Sequence, residues 1–377
     1  YLNIQDQILA YHPDVPVSDD KKTHAATITF GYCVDCPAGK STLEIGAASS
    51  DFCVFDPSTL CTFKDETSGT HTVPVAGCTL DKVITLSGSI KTMTLQGGAD
   101  KNNLHELVAA KDSRHFEVNS AYTLHLSYVK LTCRNSRHGG ITTLGKVYIK
   151  GVHFDGNHVD TNENANAGGA IWVGGSDNPQ LVISDSIFEN WISEYGGVIY
   201  AKDVGTNITI GSSTFKSNSA TICPCDASYQ TCPPNFGGGG GGAILATGGP
   251  QLTVRDTLFD SNKGCGGGAV ALWTRDDDAT TNPTLGDFSG CTFLSNIGWY
   301  DDVEYNGEYT DYDDGGAIYS KNSPIKLKSS NFTANKGKKG GAMCIEFKKG
   351  AENDCPVTIE STIFNRNIAN MRGGGIY

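Results

Sequence analysis

One phrase recurs along this chain and leaves it few folds to choose from. In residues 315–335 it opens Gly315-Gly316-Ala317-Ile318-Tyr319, passes through Ile325-Lys326-Leu327 and Ser330-Asn331-Phe332, and closes on Asn335. The opening returns at Gly168, Gly196, Gly241, Gly267, Gly340 and Gly374. The closing Phe-x-x-Asn returns at Phe154/Asn157, Phe215/Asn218, Phe259/Asn262, Phe293/Asn296 and Phe364/Asn367; Phe188 departs, with its Asn two residues on at Asn190. Self-similarity of this period marks a repeat architecture.

Aligned on the Phe, the repeats place apolar residues seven and five positions before it and a small residue two before it. The sets include Val147/Ile149/Val152/Phe154, Leu181/Ile183/Ser186/Phe188, Ile208/Ile210/Ser213/Phe215, Leu252/Val254/Thr257/Phe259, Ile325/Leu327/Ser330/Phe332 and Val357/Ile359/Thr362/Phe364. Steps of two, three and two mean a short strand, a corner that consumes one extra residue, and a second short strand. Ser184-Asp185, Gly211-Ser212, Arg255-Asp256 and Ser361 supply the corners. Gly-Gly-Ala-Ile then starts a third strand, its glycines allowing close stacking. No hairpin signal intervenes, so each strand pairs in parallel with its counterpart one repeat away. The predicted fold class is all-β: a right-handed parallel β-helix, a solenoid with an N-terminal cysteine-rich segment and loop insertions. Its 46 glycines suit turns and close stacking.

The domain reading follows. Residues 1–32, broken by Pro13 and Pro16, are an N-terminal arm; 33–78 are a disulfide-stapled segment; 79–377 are the β-helix, with insertions at 220–240, 274–287 and 297–314. The chain opens on Tyr1 without a leader-like stretch and reads as processed or partial. It stops at Gly375-Ile376-Tyr377, just after a repeat opens. An open parallel edge there calls for further repeats or for another subunit.

Thirteen cysteines and two N-x-S/T sequons, at Asn207 and Asn331, point to an oxidising, extracellular or cell-surface setting with N-linked glycans. Bridge candidates are Cys33, Cys36, Cys53, Cys61, Cys78, Cys223, Cys225, Cys232, Cys265, Cys291, Cys344 and Cys355. The odd count leaves at least one thiol free or paired between chains. Cys291 falls in the small inward column, so it is either a buried thiol or a staple to Cys265. Cys33 and Cys36 could contribute two zinc ligands, but a stapled loop is the preferred reading. The phrase Cys33-Val34-Asp35-Cys36-Pro37-Ala38-Gly39 resembles the CxxCPAG modules of ephrin-receptor-like cysteine-rich repeats, found in surface proteins of protists and algae. The resemblance implies an ectodomain and no activity.

Net charge is −12, and seven acids fall within residues 301–314, so much of the imbalance is one loop. Nucleic acid is not an expected partner, and no apolar run approaches the roughly 20 residues of a membrane span. Within the acidic loop, Asp302, Glu304, Asn306, Gly307 and Asp313 match positions 1, 3, 5, 6 and 12 of a Ca²⁺ loop. Asp302, Glu304, Asn306 and Asp313 are therefore the candidate ligands of Ca²⁺. The plainer reading is a solvated loop whose tyrosines touch a partner or sugar. The Asn of each repeat, at Asn157, Asn218, Asn262, Asn296, Asn335 and Asn367, is expected to form a structural ladder rather than a ligand site.

Catalysis finds little footing. Outward strand positions are rich in Lys, Thr, Ser and Gly, without a concentrated acid pair. His153 and His158 flank one corner but lack a third ligand in the sequence. The paired Gly-Gly-Ala-Ile and Phe-x-x-Asn motifs over residues 150–377 are similar to the repeats of chlamydial polymorphic outer-membrane proteins. That resemblance implies a β-helical surface protein. With the cysteine-rich module, the chain looks like a protist or algal ectodomain of flagellar hairs or fibrils. The expected function is a non-enzymatic structural subunit of an extracellular filament or surface layer, self-associating through solenoid ends, arm and loops. The alternatives are an adhesin binding glycan or protein and, third, a polysaccharide lyase or hydrolase.

Overall fold

The computed structural model describes residues 40–42, 53–55, 60–61, 68–89, 91–110, 113–133, 140–156, 169–220, 240–275, 281–298, 314–347 and 355–377. The described residues are all-β, with no helix among them. Three long sheets dominate, of nine, ten and ten strands, and every pairing within them is parallel. Their internal order is simple. Ile244–Thr247 lies in the first sheet, Gln251–Arg255 in the second and Leu258–Asp260 in the third. The chain then returns to the first sheet at Val270–Trp273, directly beside Ile244–Thr247. This rotation is compatible with a parallel β-helix. Parallel pairing is already present at Gly69–Thr72 and Cys78–Thr79, and a separate antiparallel pair joins Lys40–Thr42 to Cys53–Phe55.

Like residues stack on like because register is kept in every repeat. Phe154, Phe188, Phe215, Phe259, Phe293, Phe332 and Phe364 are successive partners in the third sheet. Their rings stack at centroid distances from 4.4 to 5.1 Å. Offset stacking at this spacing adds to the area each ring buries. Leu107 and Leu131 extend the column below Phe154. In the second sheet, Leu181, Ile208 and Leu252 form one inward row and Ile183, Ile210 and Val254 another. Gly286 interrupts the first of these rows. A Cβ there would come within 2.5 Å of Leu272 and 2.9 Å of the Phe288 ring, so Phe288 fills the volume that the glycine leaves.

Two of the turns in each repeat are left-handed. Asp185, Ser212, Asp256, Ser329 and Ser361 turn the chain out of the second sheet with φ from 48 to 52°. Asn190, Ser217, Ser261, Ser295, Ala334 and Arg366, each two residues after a Phe, turn it out of the third sheet with φ from 53 to 60°. One residue per corner in this conformation accounts for the odd step of three. The glycine pair answers a different need. A Cβ on Gly241 would lie 1.8 Å from the Ile244 carbonyl oxygen, and one on Gly242 2.0 Å from that of Gly268.

A disulfide between Cys61 and Cys78 crosses the N-terminal end, where Cys78 lies under Leu107. At the far end Val357 and Ile359 are each 37 % exposed, whereas Ile325 and Leu327, one repeat earlier, are 2 % and 0 % exposed.

Candidate functional site

The repeated Asn forms a continuous hydrogen-bonded chain. Asn262 donates from both its backbone N and its Nδ2 to Asn296 Oδ1, each at 3.0 Å, and Nδ2 also donates to the Phe215 carbonyl at 2.9 Å. Asn218 bonds in the same way to Asn262, Asn296 to Asn335 and Asn335 to Asn367. Asn218, Asn262, Asn296 and Asn335 are essentially inaccessible to solvent. A ligand could reach these amides only by breaking the sheet. Asn157 lies outside the described residues.

Trp191, not Asn190, takes the ladder position in the repeat of Phe188. Its Nε1 donates to the Phe154 carbonyl at 3.2 Å, the bond an Asn amide makes elsewhere, and its backbone N donates to Asn218 Oδ1 at 3.1 Å. An indole has no acceptor oxygen, so the ladder stops there. Asn190 instead occupies the left-handed corner. A second ladder runs through the small column. Ser186 Oγ, Ser213 Oγ and Thr257 Oγ1 each donate to the carbonyl two residues back, at 2.7–2.8 Å.

Cys291 stands in that hydroxyl column and behaves as its neighbours do, donating to the carbonyls of Ser289 and Val254. It is a buried thiol and not a staple to Cys265, which is disulfide-bonded elsewhere. Cys344, also a bridge candidate, is likewise a buried thiol, on the outer face of the first sheet among Tyr200, Leu245, Ala271 and Tyr319. Cys133 is a third. Burial pushes Cys133 and Cys344 up to about 12 and Cys291 to about 11, so none is a ready nucleophile. Cys355 is buried. Cys33, Cys36, Cys223, Cys225, Cys232 and the side chain of Cys53 lie outside the described residues, as do Asp302, Glu304, Asn306 and Asp313. Both sequon asparagines, Asn207 and Asn331, are exposed on strands.

His153, Asp155 and Glu189 form a cluster that sequence reasoning missed. His153 and Asp155 flank Phe154 on the strand His153–Asp155, so when the ring points inward both face out. Asp155 is the register partner of Glu189 on the adjacent strand Ile187–Glu189. His153 Nε2 and Glu189 Oε1 are 2.9 Å apart, and one ligand atom from each of the three residues lies within 4.8 Å of the others. Lys130 Nζ reaches Asp155 Oδ2 at 3.2 Å from the strand on the other side. This corrects two expectations: the outer face does carry an acid pair, and His153 does have further ligand groups beside it. Alignment on the Phe columns places Glu189 against Asp155, and that was the signal available. His158 lies outside the described residues.

A different surface lies on the second sheet. His125 and Tyr148 stack there at 4.8 Å and 9° in a shallow trough with Thr94, Val182 and Lys150. Comparison of the chain with protein-family models, with curated proteins and with solved structures found no match to any of them. No helix among the described residues is long and apolar enough to cross a membrane.

Proposed function

We propose that the chain is a right-handed parallel β-helix serving as a structural subunit of an extracellular filament or surface layer, assembling through its solenoid ends, its N-terminal arm and its loops. The observation that carries this reading is the register-preserving stack, with its Phe column from Phe154 to Phe364 and its Asn ladder from Asn218 to Asn367. Such a stack is quasi-one-dimensional, and parallel pairing along its axis can be continued by further repeats or by another subunit. Right-handedness rests on the crossover preference of parallel strands. An extracellular, glycosylated setting is supported by the Cys61–Cys78 disulfide and by exposed Asn207 and Asn331. The similarity of its repeats to those of chlamydial polymorphic outer-membrane proteins supports surface location. Electron microscopy of the native material tests the reading: ordered polymers that survive salt and chelator support it, and dispersed single rods at all concentrations contradict it.

The stacked His125–Tyr148 pair favours a second reading, an adhesin that lays a sugar ring on this aromatic face. Under it, Tyr148→Ala abolishes glycan retention without altering assembly, which a glycan-array comparison reads directly. Calcium at Asp302, Glu304, Asn306 and Asp313 belongs to this proposal as a loop-ordering ion.

A further inference from the structure

The cluster on the outer face of the third sheet has a composition that a merely solvated acidic patch lacks. One imidazole nitrogen and two carboxylates converge from two strands held in register. We infer that His153, Asp155 and Glu189 form a binding site for a divalent transition-metal ion, with Zn²⁺ the ion best matched, which clips two successive repeats together.

The donor set selects the ion. Ca²⁺ and Mg²⁺ take six or more oxygen ligands, and an imidazole in a three-donor set argues against both. Zn²⁺ accepts nitrogen and carboxylate oxygen at about 2.0–2.2 Å in a tetrahedron, so its ligand atoms stand roughly 3.4 Å apart. The three atoms here lie within 4.8 Å of one another, with His153 Nε2 and Glu189 Oε1 closest at 2.9 Å. An ion enters by opening that pair by roughly half an ångström and drawing Asp155 in, rotamer adjustments that leave the backbone in place. Three protein ligands leave a fourth position for water.

The scaffold is rigid where the site needs it. Directly beneath, the Phe154 and Phe188 rings stack at 4.6 Å and are buried, fixing the residues on either side of them. Asp155 is the most sheltered ligand, its side chain 10 % exposed, while His153 and Glu189 at 21 % and 28 % leave an entry path. The charge balance also fits: two carboxylates attract a dication that one imidazole completes. Lys130 is the built-in competitor, its ammonium engaging one Asp155 oxygen. It has somewhere else to go, because Glu106 is its register partner on the opposite side.

The test uses the full chain, stripped with chelator and titrated with Zn²⁺ alone by calorimetry, with bound metal counted by elemental analysis. Thiols elsewhere in the chain can hold metal, so the readout is the difference between variants. His153→Gln and Glu189→Gln should each lose one equivalent of Zn²⁺ while keeping the native circular dichroism spectrum, both side chains being partly exposed. Lys130→Gln should tighten the same equivalent roughly tenfold by removing the competing charge. Co²⁺ in this site should give d–d bands without a thiolate charge-transfer band, and His153→Gln should remove them. Wild-type stoichiometry and affinity in folded His153→Gln or folded Glu189→Gln overturn the site. So does Lys130→Gln binding no more tightly than wild type.

Discussion

Asn296 accepts two hydrogen bonds from Asn262 and donates to Asn335 and to the Phe259 carbonyl, all at 2.9–3.0 Å and all buried. Asn296→Ala removes the acceptor that Asn262 uses for its backbone N, and that buried donor is left out of reach of water. Stranding buried donors costs about 1–3 kcal/mol each, and chemical denaturation should read a loss of roughly 3 kcal/mol. The same change at Asn367, where the ladder meets solvent, should cost less than half as much. His115 supplies a pH dependence. It is inaccessible to solvent, its Nε2 donates to the Leu107 carbonyl, and burial lowers its pKa to about 4 from 6.5. A depressed histidine is neutral in the fold and protonated in the unfolded chain between those values. Its contribution is therefore fully present above pH 6.5 and drains away as pH falls toward 4. The loss across that window is on the order of 3 kcal/mol, and His115→Asn should flatten the profile there. The buried Cys133, Cys291 and Cys344 should resist alkylation in the native protein and react only on unfolding, a contrast that mass spectrometry resolves.

Each strand of the three sheets is too short to stand alone, and its stability comes from the strand on either side. Phe259 is stacked on both faces, against Phe215 at 5.1 Å and Phe293 at 4.9 Å. Phe259→Ala should cost about 3–5 kcal/mol, whereas Phe364→Ala, at a partly buried position, should cost clearly less. Gly241→Ala places a methyl 1.8 Å from a carbonyl that cannot move without breaking the sheet, so it should be at least as damaging. Much of this was readable from spacing. The two-three-two step announced short strands, one-residue corners and parallel stacking, because only that geometry keeps the same residues facing inward. Three features were not readable. Gly286 looks like a broken repeat until Phe288 is seen to fill its space. Trp191 hides in an Asn column because only its N–H is needed there. The His153 cluster depends on which repeats are neighbours in the sheet, and a single repeat read alone shows two of its three donors.

At the scale of the molecule, nine or ten stacked strands per sheet give a body on the order of 45 Å long at about 4.8 Å per layer. Head-to-tail contact between copies of one chain is heterologous and propagates without closing, which is how one-dimensional assemblies grow. The central claim is that the stacking axis of the repeats is the long axis of the native assembly. Fibre diffraction from aligned native material tests it most directly. The account predicts a reflection near 4.8 Å along the fibre axis; the same spacing found across the fibre, or no ordered fibre at all, would contradict it.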